Sequence, residues 1–341
     1  MKGPGIHHPW IESLKDLLSR RAFVAGLVLL GFYVFVALIS ALIYPRELTS
    51  MPLDKNLLAS CGLPQGPTLT LFPFSLGDHP LGQTAFLGLG VAQGLIVGTR
   101  WDLFLIASVV VPSALVGIFL GLIAGTYGGR LDWFVMTVTD ALLSIPYFVF
   151  VLLLVYVLLP KVGTSQGPLL FILSMILVMW APFARGVRSE ALRNSSLSYV
   201  EAARASGAGT PHIIARHILP NSITPSLAQL PVAVTLTLAL IIGTQYITYY
   251  DNSHAYGVGC TFNSATSLAA PVVPTFTYPE WGGVLGAGIT YTGAWLPQPG
   301  HPFGLAWWGF LIPALWIIVF GLATLLISDG LRDWLSPRTR R

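Results

Sequence analysis

Charge is what this 341-residue chain has least of. Asp, Glu, Lys and Arg together make up 9% of it, where a soluble domain carries about a quarter. So few charges cannot furnish a water-facing surface. A hydrophobic content of 54% and a mean hydropathy of +0.72 place the chain in lipid instead. Lysine is nearly absent: Lys2, Lys15, Lys55 and Lys161 are the four, and none precedes Ser or Thr. That excludes a phosphate-cradling loop of the G-x-x-x-x-G-K-[ST] kind. Two cysteines, Cys61 and Cys260, are too few and too far apart for a zinc site. His7, His8, His79, His254 and His301 show no ligand spacing, so no metal is expected. No cluster of His, Asp or Glu suggests an integral membrane enzyme. A formal charge of +4 is no nucleic-acid signal; it follows from where the arginines sit.

Long apolar runs are what is there. A spanning helix needs ~20 apolar residues. Six segments qualify or nearly so: 22–44, 103–126, 134–159, 168–184, 228–250 and 303–328. The first is too long for a signal-peptide core and lacks a small-residue cleavage site, so it reads as a retained anchor. Trp307 and Trp308 open the last segment as an interfacial belt would. Residues 86–98 are apolar but short and glycine-rich, and read as an interfacial or re-entrant helix. Prolines 112, 146, 182, 231 and 313 lie within or beside spans and are expected to kink them. Glycines between 117 and 125 suit close helix packing.

Basic residues set the orientation. Fourteen lie at the N-terminus, in the loops after spans two and four, and in the tail, against four on the alternate side (Arg46, Lys55, Arg100, Lys161). Six spans with both termini in the cytoplasm satisfy that asymmetry. The expected organisation is a cytoplasmic N-terminus and anchor span (1–44), an extracytoplasmic segment with a short interfacial helix (45–100), and a core of spans two to six (101–328). The core includes a cytoplasmic loop (185–225) and an outer loop (248–302), and a basic cytoplasmic tail follows (329–341). Cys61 and Cys260 then fall in outer loops, either as free thiols or as a disulfide. Asp140 is an acid within a span. It lies about two turns from the cytoplasmic turn, where it is expected to pair.

The cytoplasmic loop carries the most pattern. Ser198 to Glu201 fits a capping box, with Ser198 as N-cap and Glu201 reaching back. A short helix follows, and Gly207 is placed to end it in the left-handed conformation. Thr210 then caps a second helix opened by Pro211. That helix presents Ile213, Ile214, His217 and Ile218 on one side, and Leu219-Pro220 stops it. The plainer reading of Glu201 and Arg204 is local: one caps, the other pairs with it.

The spacing Glu201-Ala202-Ala203, Gly207, Ile218-Leu219-Pro220 resembles the "EAA" loop of ABC-importer permeases, by which such a subunit grips its ATPase. Further runs resemble the C-type subunit of the dipeptide/oligopeptide/nickel branch. They are His79-Pro80-Leu81-Gly82, Gly125 to Asp132, Asp140 to Pro146, Tyr199 to Asn221, Pro279-Glu280-Trp281-Gly282 and Ser328 to Arg338. The resemblance implies an all-α integral membrane protein with the ABC type I importer permease fold and outer-loop insertions. It implies that Glu201, Ala202, Ala203, Arg204, Gly207, Ile218, Leu219 and Pro220 couple to an ATPase, with Ser198, Thr210 and Pro211 shaping the loop. The implied partners are a homologous second permease, two ABC ATPases that hold ATP and magnesium, an extracytoplasmic solute-binding protein and membrane lipid. The chain itself then needs no cofactor, performs no catalysis and sits in the plasma membrane.

Two departures stand out. Gln83, Ala85, Leu89 and Gly90 replace the branch's polar residues after Gly82. The outer loop after span five is long; it reads either as a passive cap or, through Tyr249, Tyr250, Asn252 and Tyr256, as an outer gate or a contact with the binding protein. The implied substrate is a di- or oligopeptide, with oligosaccharides or nickel chelates as alternatives. An ion-coupled secondary carrier fits less well, since it would want several paired intramembrane charges and repeated halves.

Overall fold

The computed structural model describes residues 16–43, 70–71, 74–75, 81, 91–162, 166–255, 280–290 and 307–335. Cys61, Tyr256, Cys260 and most of the outer loops lie outside the described residues. A two-residue antiparallel ladder, β1 (Thr70–Leu71) with β2 (Phe74–Ser75), is the only sheet among them. All other elements are helical. The long ones are α1 (Arg21–Ile43), α2 (Val91–Tyr127), α3 (Gly129–Ser144), α4 (Tyr147–Val162) and α5 (Gly167–Ser195). After four short α-helices and a π-helical turn come α10 (Leu230–Ala255), α11 (Trp281–Thr290) and α12 (Trp307–Leu335).

Four helices, α1, α2, α5 and α12, are long and apolar enough to cross a membrane. The bent pair α3–α4, counted as one span, brings the number among the described residues to five, and the apolar part of α10, Leu230–Tyr246, is shorter. The fold is that of an all-α integral membrane protein.

Several boundaries differ from the sequence expectation for physical reasons. Residues 91–98 do not form a separate interfacial helix. They continue into α2, whose 37 residues reach roughly 55 Å, well beyond the ~30 Å of a bilayer core. The third span is broken: α3 and α4 meet at 85°. Ile145 is extended there, φ −93° and ψ 131°, as a residue before proline is driven to be. Pro112, Pro182 and Pro313, by contrast, sit inside continuous helices. Residues 281–290 are not loop but the packed helix α11. The tail stays helical to Leu335.

The tightest seam is α2 against α5. Gly117, Gly121 and Gly125 recur every four residues along one face of α2. A Cβ on Gly117 would meet the Trp180 carbonyl, and one on Gly121 the Ala184 backbone. One on Gly125 would lie 2.7 Å from the Ala191 Cβ. Without side chains the two backbones touch, and dispersion is gained along about two turns.

The other core is aromatic. Tyr33, Trp281, Trp316 and Phe320 pack edge to face with centroids 5.0–6.4 Å apart. Tyr33 donates its hydroxyl to the Trp316 carbonyl at 2.6 Å, and Trp281 donates Nε1–H to the Leu95 carbonyl at 3.2 Å. These bonds satisfy the polar tips and fix α1, α2, α11 and α12 together.

The start of α1 meets the end of α12. Arg20 lies 3.6 Å from Asp333, over a cluster of Leu17, Phe23 and Ile327. Ser328 of α12 donates to the Ala228 carbonyl, which closes the loop between α5 and α10. Both ends of the bundle chain and that loop therefore share one side.

Candidate functional site: the loop between α5 and α10

The loop begins where α5 ends. Two arginines on α5 hold α3. Arg188 donates Nε–H and Nη2–H to Asp132 Oδ1 and Oδ2 at 2.5 and 2.6 Å, a bidentate fork. One turn earlier Arg185 pairs with Asp140. Asp140 thus has the partner its position asked for. The sequence placed Arg185 and Arg188 among the orienting bases and Asp132 in a motif, without pairing them. Their acid spacing of eight along α3 and base spacing of three along α5 was the available signal.

Beyond α5 come α6 (Ser198–Ala205) and α7 (Thr210–Ile213), then a π-helical turn at Ile214–Ile218, α8 (Leu219–Ser222) and α9 (Thr224–Leu227). The expected capping box does not form. Leu197 is the N-cap of α6, in extended conformation, and no side chain caps it. Its carbonyl accepts from Val200 and Glu201 N–H instead. Ser198 is already helical, so its hydroxyl is one residue too late. Glu201 does not pair with Arg204 either; both side chains are exposed.

Gly207 takes φ 83°. It donates N–H to the Arg204 carbonyl at 2.9 Å, and Ala208 donates to Ala203 at 3.0 Å. This is a Schellman closure. Nothing lies within 4 Å of where a Cβ on Gly207 would be, so backbone conformation alone demands glycine here.

The second helix is displaced by one residue. Gly209 is its N-cap, Thr210 its first helical residue and Pro211 follows. Leu219-Pro220 does not stop it. The chain widens into the π turn and then restarts, with Pro220 in the first turn of α8. Proline lacks the N–H a regular helix would use and crowds the carbonyl four residues back. A widened turn before it relieves both.

The loop is seated on the bundle by a small core. Val200, Ile213 and Ile218, all buried, meet Leu122 of α2 and Val187 and Ala191 of α5. Asn194 of α5 donates to the Ser222 hydroxyl at 2.9 Å in a buried bond. On the surface, Asn221 donates to the Tyr199 hydroxyl and to the His217 carbonyl. The rings of His217, Tyr199 and His212 lie near one another. His217 and Ile214 are only partly buried, so the apolar side of this helix is narrower than its four residues suggested.

The face turned away from the bundle is distinctive. Glu201, Ala202, Arg204, Ala205, Ser206, Gly207, Gly209 and Arg216 are exposed, while Ala203 is partly covered and Ile218 buried. Small residues leave the backbone approachable, and charges at 201, 204 and 216 rim it. The result is a knob fixed to α2 and α5, with one face exposed. Tyr249, Tyr250 and Asn252 are remote from it, in the last turns of α10. Among the described residues no group of three or more potential metal ligands occurs.

Comparison with known proteins agrees with this architecture. Residues 117–341 match the family described as binding-protein-dependent transport system inner membrane component. The chain is 27% identical over 331 residues to the dipeptide transport system permease protein DppC of Bacillus subtilis, covering 97% of this chain and 86% of that one. It is 26% identical to the oligopeptide transport system permease protein OppC of the same organism, over 97% and 90%. The di/tripeptide permease DppC of Pseudomonas aeruginosa is 27% identical, over 97% and 93%.

Proposed function

Because the chain belongs to the binding-protein-dependent transport system inner membrane components, we propose that it is one of two permease subunits of an ATP-driven peptide importer. In this reading it forms half of the translocation pathway and takes its power stroke through the α6–α8 knob. The observation that carries the reading is the knob itself. It is buried on one side through Val200, Ile213 and Ile218, and exposed on the other through Glu201, Ala202, Arg204 and Gly207. An ATPase that moves it would move α5 through the Asn194–Ser222 bond. α5 in turn carries α3 through Arg185 and Arg188. Motion at the cytoplasmic surface would so reach the break between α3 and α4, where a pathway can open or close. ATP and magnesium stay with the ATPase subunits, which fits a chain with no phosphate loop.

Peptide is the substrate class proposed, supported by the names that the similar permeases carry. The test is a reconstituted assembly of this chain, its sister permease, two ATPases and the binding protein in lipid. Peptides should stimulate ATP hydrolysis. Stimulation by oligosaccharides or nickel chelates instead would overturn the substrate, and failure of any ATPase to bind would overturn the coupling.

A further inference from the structure

A carboxyl buried in an apolar bundle needs compensation, because an unpaired charge taken from water costs several kcal/mol. The foot of α11 holds two. Asp102 of α2 and Glu280, the residue before α11, are 0% and 2% exposed. Asp102 Oδ2 accepts the Trp281 backbone N–H at 3.0 Å, the first free donor of α11. Asp102 Oδ1 and both Glu280 oxygens have no hydrogen-bond partner among the described residues. Glu280 immediately precedes Trp281, so the bond from Trp281 to Asp102 brings the two acids to one place.

No described cation lies between them. α11 packs against α2, α10 and α12, with Tyr33 of α1 on the Trp281 ring. On α2 the only base nearby is Arg100, which lies over the Trp101 ring and whose Nε and Nη2 reach neither carboxyl. Tyr33 donates to the Trp316 carbonyl. On α10, Tyr246 makes no bond to the three unpartnered oxygens, and Tyr249, Tyr250, Asp251 and His254 stand in its last turns. The charges of α12 (Asp329, Arg332 and Asp333) sit at its far end. The partial positive charge at the start of α11 offsets one carboxylate, the one it caps. The second is left without an offset.

We propose that Asp102 and Glu280 form a binding site for a single positive charge, either a proton shared between them or one sodium ion, and that its occupancy clamps α11 to α2. When the site is filled, the Asp102–Trp281 bond holds α11 in the aromatic core. When it is emptied, two like charges push α11 away from α2 and disturb its seat on α10 and α12. The inference is independent of what the protein transports.

The test is thermal unfolding of the full chain in lipid nanodiscs from pH 5 to 9, in choline chloride and in sodium chloride. A folded state that holds a cation the unfolded chain releases is stabilised by it. In choline chloride the midpoint should therefore fall as pH rises. Restoration at high pH by sodium chloride identifies sodium as the occupant; indifference to sodium identifies a shared proton. Glu280→Gln should abolish the dependence, and Asp102→Asn should do so while also loosening α11. A flat wild-type midpoint in both salts, or an undiminished dependence in E280Q, overturns the proposal. If E280Q does not fold, infrared difference spectra of wild type with isotope-labelled Glu decide. A carboxylic-acid band that disappears at high pH or on adding sodium supports the site, and its absence together with no sodium effect overturns it.

Discussion

Gly207 shows most directly how a single residue can be read twice, for shape and for role. Its φ of 83° is a conformation that costs a non-glycine residue about 1–2 kcal/mol, and a β-branched one more. Open space around its Cβ position removes steric clash as a second cause. Transport by Gly207 variants should therefore rank Asn above Ala and Ala above Val, with membrane insertion unchanged. A transport assay beside a membrane-fraction immunoblot checks this, and a wild-type rate in Gly207→Val would refute the Schellman account. Glu201 is the converse case. It neither caps α6 nor pairs with Arg204, so Glu201→Ala should leave stability within about 0.5 kcal/mol. If Glu201 touches the ATPase, the same variant should still reduce peptide-stimulated hydrolysis. Equal stability with full hydrolysis would remove Glu201 from the interface.

Among the helices, the α2–α5 seam and the α3–α5 ion pairs are the ties that the proposed coupling would use. Gly121→Leu would force its side chain into the Ala184 backbone. Overpacking of this kind costs about 1–3 kcal/mol, seen as a lowered unfolding midpoint in nanodiscs. Gly31, with nothing within 4 Å of its Cβ position, provides the contrast: Gly31→Ala should add about 0.5–1 kcal/mol of stability at most, seen as an unchanged or raised midpoint. For the fork at Arg188, Asp132→Asn should uncouple transport from ATP hydrolysis. The exchanged pair Asp132→Arg with Arg188→Asp should recover part of it. No recovery would mean that packing at Val135 and Ala184, rather than charge, ties α3 to α5.

For the molecule as a whole, the Arg20–Asp333 contact and the Ser328–Ala228 bond put both helical ends and the knob on one side. Ends that meet on one side require an even number of crossings. Among the described residues five spans satisfy the length criterion when the bent pair counts as one, and the shorter apolar helix α10 would make the number even. A single cysteine at Ser206, with Cys61 and Cys260 replaced by serine, should react with an impermeant maleimide only after the cells are opened. Labelling in intact cells would invert the orientation.

The sequence by itself determined that this is a helical membrane protein, where most spans run, and that the loop after α5 is a short-helix assembly with a left-handed turn at Gly207. These follow from local causes: run length, charge asymmetry and backbone preference. It also marked Pro279 to Gly282 as a motif without giving its use. Only the tertiary structure decided the rest. The capping residues moved to Leu197 and Gly209, because seating Val200 and Ile213 on α2 and α5 sets the phase of each short helix. Leu219-Pro220 continued the chain because the π turn before it absorbs the missing N–H. Most tellingly, Asp102 and Glu280 stand 178 positions apart in the chain. Their encounter arises from packing α11 against α2, and no local pattern encodes a charge balance between residues so far apart.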